Sequence, residues 1–198
     1  MNIHIAKLDD AQGILDIYAP IVEQTIISFE LAPPTVEEIQ ARIAKTRLQY
    51  PYLVCKEDGV VAGYVYGSTF RSRPAYQWTV EVTVYVHPDF RRRNIARALY
   101  SALFDLLKVQ GYVTAVAVIG LPNEGSVTLH EGLGFESVGV FERVGYKLGG
   151  WHPTGWWQYA INPPDLMPNS PIAFPDLDAE QVAQIIDKNE RLFRSTKS

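Results

Sequence analysis

The chain has little cysteine, no long apolar run and no excess of positive charge over its 198 residues. Its single cysteine, Cys55, excludes an intrachain disulfide and favours a reducing compartment. No apolar stretch is long enough to span a bilayer, and the N-terminus lacks the basic and apolar regions of a signal peptide. We therefore expect a cytoplasmic protein without a membrane partner.

Two further classes of partner are disfavoured by what is missing. The net charge of −4 leaves no broad basic footprint for nucleic acid, because the basic residues around 91–97 are local. The spacing of His4, His87 and His152 fits no zinc pattern, so no metal is expected.

The apolar periodicity predicts an α+β fold. The composition, 47% apolar and 20% charged, is typical of one globular domain with a full core. In order, the patterns predict a strand, two helices, three strands, a helix, a strand, a helix and two final strands at Phe135 to Val144 and Trp156 to Ile161. Together they describe a mixed central β-sheet flanked by helices, which we assign to residues 1–161.

Residues 162–198 differ in composition and form a predicted extension. Prolines recur from Pro163 to Pro175 and predict an extended linker. An amphipathic helix is predicted from about Asp178 to Phe193, with an apolar face that could pack on the domain or on a second subunit.

The stretch from Val84 to Leu99 joins a strand to a helix through a basic turn. Pro88 ends the strand because it has no N–H for a ladder, and Ile95, Leu99 and Leu103 begin a helical pattern. The first N–H groups of a helix are free and its dipole is positive there, so this geometry binds phosphates. The alternative is a solvated basic loop before a surface helix.

This turn resembles a known signature. Arg91-x-x-Asn94-x-Ala96 is similar to Gln/Arg-x-x-Gly-x-Gly/Ala, with which the GNAT superfamily of N-acetyltransferases holds the pyrophosphate of acetyl-CoA. Asn94 departs from the family's glycine; asparagine is the next most tolerant residue in a left-handed backbone, although its side chain crowds a phosphate more.

Longer stretches resemble the phosphinothricin and methionine sulfoximine N-acetyltransferases within that superfamily. The similar stretches are Ser28–Glu30, Phe70–Glu81, Val118–Asn123, Leu129–Phe135 and Gly145–His152. The resemblance implies the mixed α+β acetyltransferase fold, acetyl-CoA as co-substrate, a small amino-acid substrate and a homodimer. The segment beyond about residue 160 is not covered by it.

Acetylation of an amine needs a base, because α-amino groups titrate at about 8 and arrive mostly as ammonium. Glu81 lies in an apolar strand, where alternation places it with Thr79 and Thr83 and opposite the valines. A solvent-facing glutamate is the alternative. The resemblance puts the family's catalytic glutamate at Glu81, acting directly or through water.

His130 is the second catalytic candidate. It stands where many superfamily members carry the tyrosine that reprotonates the CoA thiolate, and an imidazole can give or take a proton near neutral pH. Its role as acid, base or substrate ligand is left open, and the alternative is a hydrogen-bonded helix histidine.

The resemblance also implies binding residues. Arg71, Arg73 and Tyr76 correspond to the family residues that bind the carboxylate and phosphinate of the substrate. Phe29 corresponds to an aromatic residue of the family's substrate pocket. For acetyl-CoA the implied residues are a strand that pairs with the pantetheine, backbone N–H groups for the pyrophosphate and one amide: Val84, Tyr85, Val86, Arg92, Arg93, Asn94, Ile95, Ala96, Arg97 and Asn123. Two other functions remain open, a protein or peptide acetyltransferase and a non-catalytic acyl-CoA-binding module.

Overall fold

A computed structural model describes residues 1–193. Within that range the helices and strands follow in chain order as β1 (Asn2–Ile5), α1 (Ala11–Gln24), α2 (Val36–Thr46), β2 (Tyr52–Glu57), β3 (Val60–Thr69), β4 (Thr79–Val86), α3 (Ile95–Gln110), β5 (Thr114–Gly120), α4 (Glu124–Glu131), β6 (Glu136–Lys147), β7 (Gly150–Ala160) and α5 (Ala179–Glu190).

The strands form a single sheet in the order β1-β2-β3-β4-β5-β7-β6. Neighbouring strands are antiparallel except β4 and β5, which run parallel. Helix α3 packs on β2, β3 and β4, and α1 and α2 pack on β3. This mixed sheet flanked by helices confirms the predicted α+β fold.

Alternation along the strands divides the core into two layers, because successive side chains point to opposite faces. Val65, Val80 and Leu103 belong to the layer between the sheet and α3. Tyr64 and Ile43 belong to the layer under α1 and α2. Each face of the central strands is therefore covered, and a polar side chain between them needs a specific partner or role.

Two local sequence motifs fix ends of these elements. Thr35 and Glu38 form a capping box at the start of α2, with reciprocal hydrogen bonds of 2.8 and 3.2 Å. Asp58 and Gly59 form the tight turn between β2 and β3, with φ of +51° and +84°.

Strands β4 and β5 pair over only part of their length. Thr79–Glu81 of β4 face Thr114–Val116 of β5. Beyond that point β4 continues to pair with β3 as far as Val86, and β5 continues to pair with β7 as far as Gly120. The two strands therefore separate after Glu81 and leave a gap in the centre of the sheet, where the β4 backbone is free to bind an extended ligand.

The final two strands are longer than the sequence predicted. Strands β6 and β7 meet in a hairpin whose turn, Leu148 and Gly149, has φ of +49° and +79°. The segments missing from the prediction, 145–147 and 150–155, contain Gly145, Gly150, Pro153 and Gly155, which are residue types unfavourable in strands. The prediction consequently ended one strand at Val144 and began the next at Trp156.

The extension packs back on the domain. Phe174, Val182 and Ile186 are buried in the same layer as α3, and the Glu190 carboxylate accepts a 2.6 Å hydrogen bond from the N–H of Ile3 in β1. A 3₁₀ turn ends at Phe193, and the rest of the predicted extension, residues 194–198, lies outside the described residues.

No helix within residues 1–193 is both long and apolar enough to cross a bilayer. The same range contains no group of three or more His, Cys, Asp or Glu side chains arranged to hold a metal ion.

Candidate active site

A cavity of about 610 Å³ lies between the end of β4 and the start of α3. Nine of the ten residues predicted to bind the cofactor line it, namely Val84, Tyr85, Val86, Arg92, Asn94, Ile95, Ala96, Arg97 and Asn123. Arg91 lines it as well. The strand, the basic turn and the helix that the sequence predicted as a phosphate site are therefore brought to one surface.

The turn before α3 adopts the backbone that the signature requires. Arg92 and Asn94 have φ of +61° and +59°, in the left-handed region. The first hydrogen bond of the helix runs from the N–H of Ala98 to the carbonyl of Asn94, so the preceding N–H groups at the helix start are available to an anion. Arg97 donates to the carbonyl of Gly132 at 3.1 Å, which ties this turn to α4.

Arg93 is the predicted cofactor residue whose side chain lies elsewhere. Its guanidinium donates to the Glu57 carboxylate at 2.5 Å and lies 5.2 Å from the ring centre of Phe90. The Arg93 side chain therefore joins the turn to the β2–β3 hairpin, and its backbone remains part of the turn.

A second cavity of about 160 Å³ occupies the gap between β4 and β5. Glu81, Tyr100 and His130 all line it. Glu81 comes from β4, whereas Tyr100 and His130 come from α3 and α4 on the side of the sheet that α3 covers. Both predicted catalytic residues thus reach one cavity, which shares Ile27 and other lining residues with the larger one.

Glu81 is half-buried in the gap, and its main-chain partner on β3 is Ser68. Burial raises the pKa of Glu81, because removing a carboxylate from water disfavours its charged form. A carboxyl with a raised pKa is a stronger base when ionised than an ordinary glutamate, which suits proton removal from an amine.

His130 is 4% exposed and bonded at both ring nitrogens. Its Nδ1 lies 2.7 Å from the carbonyl oxygen of Ser126, which can only accept, so Nδ1 carries the proton. The Nε2 atom then accepts from the Tyr100 hydroxyl at 2.9 Å. Burial lowers the pKa of His130 and raises that of Tyr100, so both are neutral at about pH 7.

Asn123 precedes α4 and lines both cavities. Its Oδ1 accepts a 3.2 Å hydrogen bond from the N–H of Ser126, which caps the helix. The amide predicted to bind the pantetheine is therefore also the group that fixes the start of the helix carrying His130.

The residues predicted to bind the substrate head group lie on the exposed loop after β3. Arg71, Arg73 and Tyr76 line neither of the two cavities. The Arg71 guanidinium lies 5.2 Å from the ring centre of Phe70, and that ring meets Tyr76 edge-on at 5.9 Å. Because the last pairs of β3 with β4 are Ser68 with Glu81 and Thr69 with Val80, this loop leaves the sheet beside the gap.

Phe29, the fourth predicted substrate residue, also lies outside both cavities. Its ring covers Gly145 on β6, where an added Cβ would lie 2.1 Å from the ring. Its neighbour Ile27 lines both cavities instead.

Tyr100 and Ile27 are among the residues lining the gap that sequence reasoning missed. Tyr100 lies at helical spacing among the buried residues of α3, so its pattern is that of a core residue. Ile27 lies in a loop whose sequence carries no polar motif at that position. Only the fold shows that Tyr100 contacts His130 and that Ile27 lines both cavities.

The comparisons with known proteins agree with this geometry. Residues 3–156 match the acetyltransferase (GNAT) domain family. The chain is 40% identical to the phosphinothricin N-acetyltransferase of Streptomyces viridochromogenes, over 80% of this chain and 86% of that protein. It is 35% identical to the L-methionine sulfoximine/L-methionine sulfone acetyltransferase of Salmonella typhimurium, over 82% of this chain and 95% of that protein.

A solved structure shows the same architecture. The phosphinothricin acetyltransferase from Sinorhizobium meliloti in complex with AcCoA superposes with a TM-score of 0.79 and 32% identity, covering 87% of this chain and 97% of that one. The chain belongs to the GNAT acetyltransferase family, and it is an N-acetyltransferase of the class to which these relatives belong.

Proposed function

We propose that the chain transfers an acetyl group from acetyl-CoA to the α-amino group of a small amino-acid analogue of the phosphinothricin, methionine sulfoximine or methionine sulfone type. One observation carries the proposal. The base candidate Glu81 and the anion-binding turn before α3 flank two adjoining cavities at the gap between β4 and β5.

The larger cavity fits the donor chemically. Acetyl-CoA supplies the acetyl group as a thioester when it is bound. The free N–H groups at the start of α3, with Arg91 and Arg92 beside them, suit its diphosphate. The unpaired edge of β4 at Val84–Val86 suits its amide-containing arm, which can pair as an added strand.

Glu81 removes a proton from the incoming ammonium group, directly or through a water molecule. A positioned base of this kind gains a factor of roughly 10²–10⁴ in rate. The raised pKa of Glu81 is closer to the pKa of the amine, which titrates at about 8. The proton transfer from the ammonium group to Glu81 is therefore less unfavourable.

Tyr100 and His130 form a neutral pair on the opposite side of the gap. We assign proton return to this pair. In the resting state the Tyr100 hydroxyl donates its single proton to Nε2 of His130. To return a proton, the hydroxyl turns from Nε2 to the leaving sulfur, gives that sulfur its proton, and the phenolate then takes a proton from water. The bond from Nδ1 of His130 to Ser126 keeps the imidazole in the tautomer that accepts from Tyr100.

A free-thiol assay tests the proposal. Release of CoA is measured with methionine sulfoximine, methionine sulfone, phosphinothricin and the ordinary amino acids, each with the wild type and with Glu81→Gln. We expect turnover on at least one amino-acid analogue and its near loss in the variant. No rate above background on any of these acceptors would refute the proposal.

A second function has one observation in its favour. The loop with Arg71, Arg73 and Tyr76 is exposed, and an open surface beside the gap suits a peptide as well as an amino acid. A peptide panel in the same assay separates the two. Peptides acetylated faster than every free amino acid would select a protein or peptide acetyltransferase, and CoA binding without turnover would select an acyl-CoA-binding module.

We also propose that the protein is a homodimer formed through the β6–β7 hairpin. Strand β6 is the last strand of the sheet, and Phe141, Tyr146 and Trp151 on this hairpin are 57%, 57% and 60% exposed. An apolar patch on an edge strand suits a second copy better than water. Light scattering should report a dimer for the wild type and a monomer for a Phe141→Asp/Trp151→Asp variant.

A further inference from the structure

A buried lysine that the proposed chemistry does not use ends strand β6. Lys147 is 4% exposed, and its Nζ donates a 2.6 Å hydrogen bond to the backbone carbonyl of Ser28. Burial lowers the pKa of Lys147, and the negative charge of Glu30 opposes that change. Burying an ammonium group is unfavourable, so its retention at this contact indicates a specific role.

The carbonyl that Lys147 binds belongs to the loop between α1 and α2. We call residues 25–30 the gap loop, because Ile27 at its centre lines both cavities. The gap loop forms part of the wall between the larger cavity, where we place acetyl-CoA, and the gap. Its position therefore sets the shape of the space in which the two substrates meet.

The helices hold one side of the gap loop. The Tyr18 hydroxyl donates to the Glu30 carboxylate at 3.0 Å and accepts from the Ser28 hydroxyl at 2.7 Å. Arg42 of α2 binds the same carboxylate through two nitrogens, at 2.6 and 3.0 Å. These bonds join the loop to α1 and α2 but not to the sheet.

Glycines allow the gap loop to lie directly against the sheet. A Cβ on Gly120, at the end of β5, would lie 2.4 Å from the carbonyl oxygen of Ile26. A Cβ on Gly145 would lie 2.1 Å from the ring of Phe29. Lys147 follows Gly145 by two residues in β6, so its side chain leaves the same face of the strand.

We propose that Lys147 is a positioning residue that holds the gap loop closed against the sheet, through its ammonium group and the carbonyl of Ser28. The catalytic consequence rests on the proposed function: the closed loop places Ile27 at the wall of both cavities and thereby fixes the acceptor beside Glu81. Without the ammonium group the loop remains joined to the helices and separates from β6.

Hydrogen exchange of the Lys147→Met variant tests the proposal. Methionine keeps the length and apolar contacts of the lysine but has no donor. A hydrogen bond from a charged group lost at one site corresponds to about a tenfold change in an opening equilibrium, so amides of residues 25–30 should exchange about tenfold faster. Lys188→Met is the matched control, because Lys188 is exposed and pairs with Asp105 on α3.

Kinetics give a readout that a general loss of stability would not produce. In Lys147→Met the KM for the amino-acid acceptor should rise about tenfold. The Kd of acetyl-CoA should stay within about twofold of the wild type, because β4, the turn before α3 and α4 form most of the larger cavity and the gap loop contributes only Ile27. Gly145→Ala, which forces the Phe29 ring from its place, should raise both the exchange of the gap loop and the acceptor KM in the same way.

Each outcome decides the proposal. The proposal would be overturned if the amides of the gap loop exchanged equally fast in Lys147→Met and in Lys188→Met. Loss of the cooperative thermal transition would overturn it as well, because a contact that holds one loop leaves the rest of the fold intact. If the wild type acetylates no amino acid, the proposed function fails, and the exchange comparison still decides the role of Lys147.

Discussion

Replacement of Glu81 by glutamine separates catalysis from stability in this protein. Glutamine keeps the size of the side chain in the gap but cannot accept a proton at about pH 7. Burial raises the pKa of Glu81, so the folded state binds protons more tightly there than the unfolded state does. By linkage, the ionised carboxylate lowers the stability above its ordinary pKa, and Glu81→Gln should not lower the free energy of unfolding at neutral pH.

The size of the activity loss follows from the fraction of the acceptor that is already deprotonated. With an amine that titrates at about 8, roughly a tenth of the acceptor is already free amine at about pH 7. If Glu81 did no more than supply free amine, its loss would cost about tenfold. A positioned base contributes roughly 10²–10⁴, so we expect kcat/KM to fall by at least about 10² near neutral pH.

A pH series of the CoA-release assay measures this effect. The wild-type profile should have an acid limb above the ordinary range of glutamate, and that limb should be absent in Glu81→Gln. The deficit of the variant should shrink towards about pH 9, where the amine is free. Glu23→Gln is the control, since Glu23 is an exposed carboxylate on α1. A loss of less than about tenfold, or an unchanged acid limb, would refute the assignment of Glu81 as the base.

Three further predictions follow from buried or strained positions. Asn94→Val should lower the free energy of unfolding by about 1–2 kcal/mol in urea titrations, because a β-branched residue disfavours φ of +59°, whereas Asn94→Gly should not lower it. Ile186→Ala should cost about 2–5 kcal/mol by calorimetry if the extension shares the core. Because burial lowers the pKa of His130, the unfolded state binds more protons as the pH falls below about 6.5, and stability falls with it; this fall should be smaller in His130→Phe.

Local patterns predicted residues that the fold gathers around the larger cavity, because most of them are adjacent in the chain. A strand that ends at a proline, a basic turn and the start of a helix are consecutive, so their order alone places the strand edge and the helix N-terminus on one surface. Arg93 shows the limit of such reasoning. Its position in the turn was predictable, but the partner of its side chain, Glu57, lies on another hairpin.

The gap between β4 and β5 could not be predicted in the same way because it is assembled from distant segments. Period-two alternation placed Glu81 on one face of β4. The alternation could not show that β5 separates from β4 after Glu81. Because of that separation, the half-buried Glu81 side chain lines a cavity. Tyr100 and Ile27 reach that cavity from a core helix and from a loop, and neither carries a local signal.

Asn94 shows how a departure from a motif is judged by its physical requirement. The signature has glycine at this position because the turn before the helix needs a left-handed backbone. Asn94 adopts that backbone with φ of +59° and still begins the helix, since the N–H of Ala98 bonds to its carbonyl. The substitution therefore leaves the direction of the free N–H groups intact, and any effect on the donor arises from the amide side chain at the cavity wall. A tighter Kd for CoA in Asn94→Gly would measure that effect, and a weaker one would show that the amide itself binds the donor.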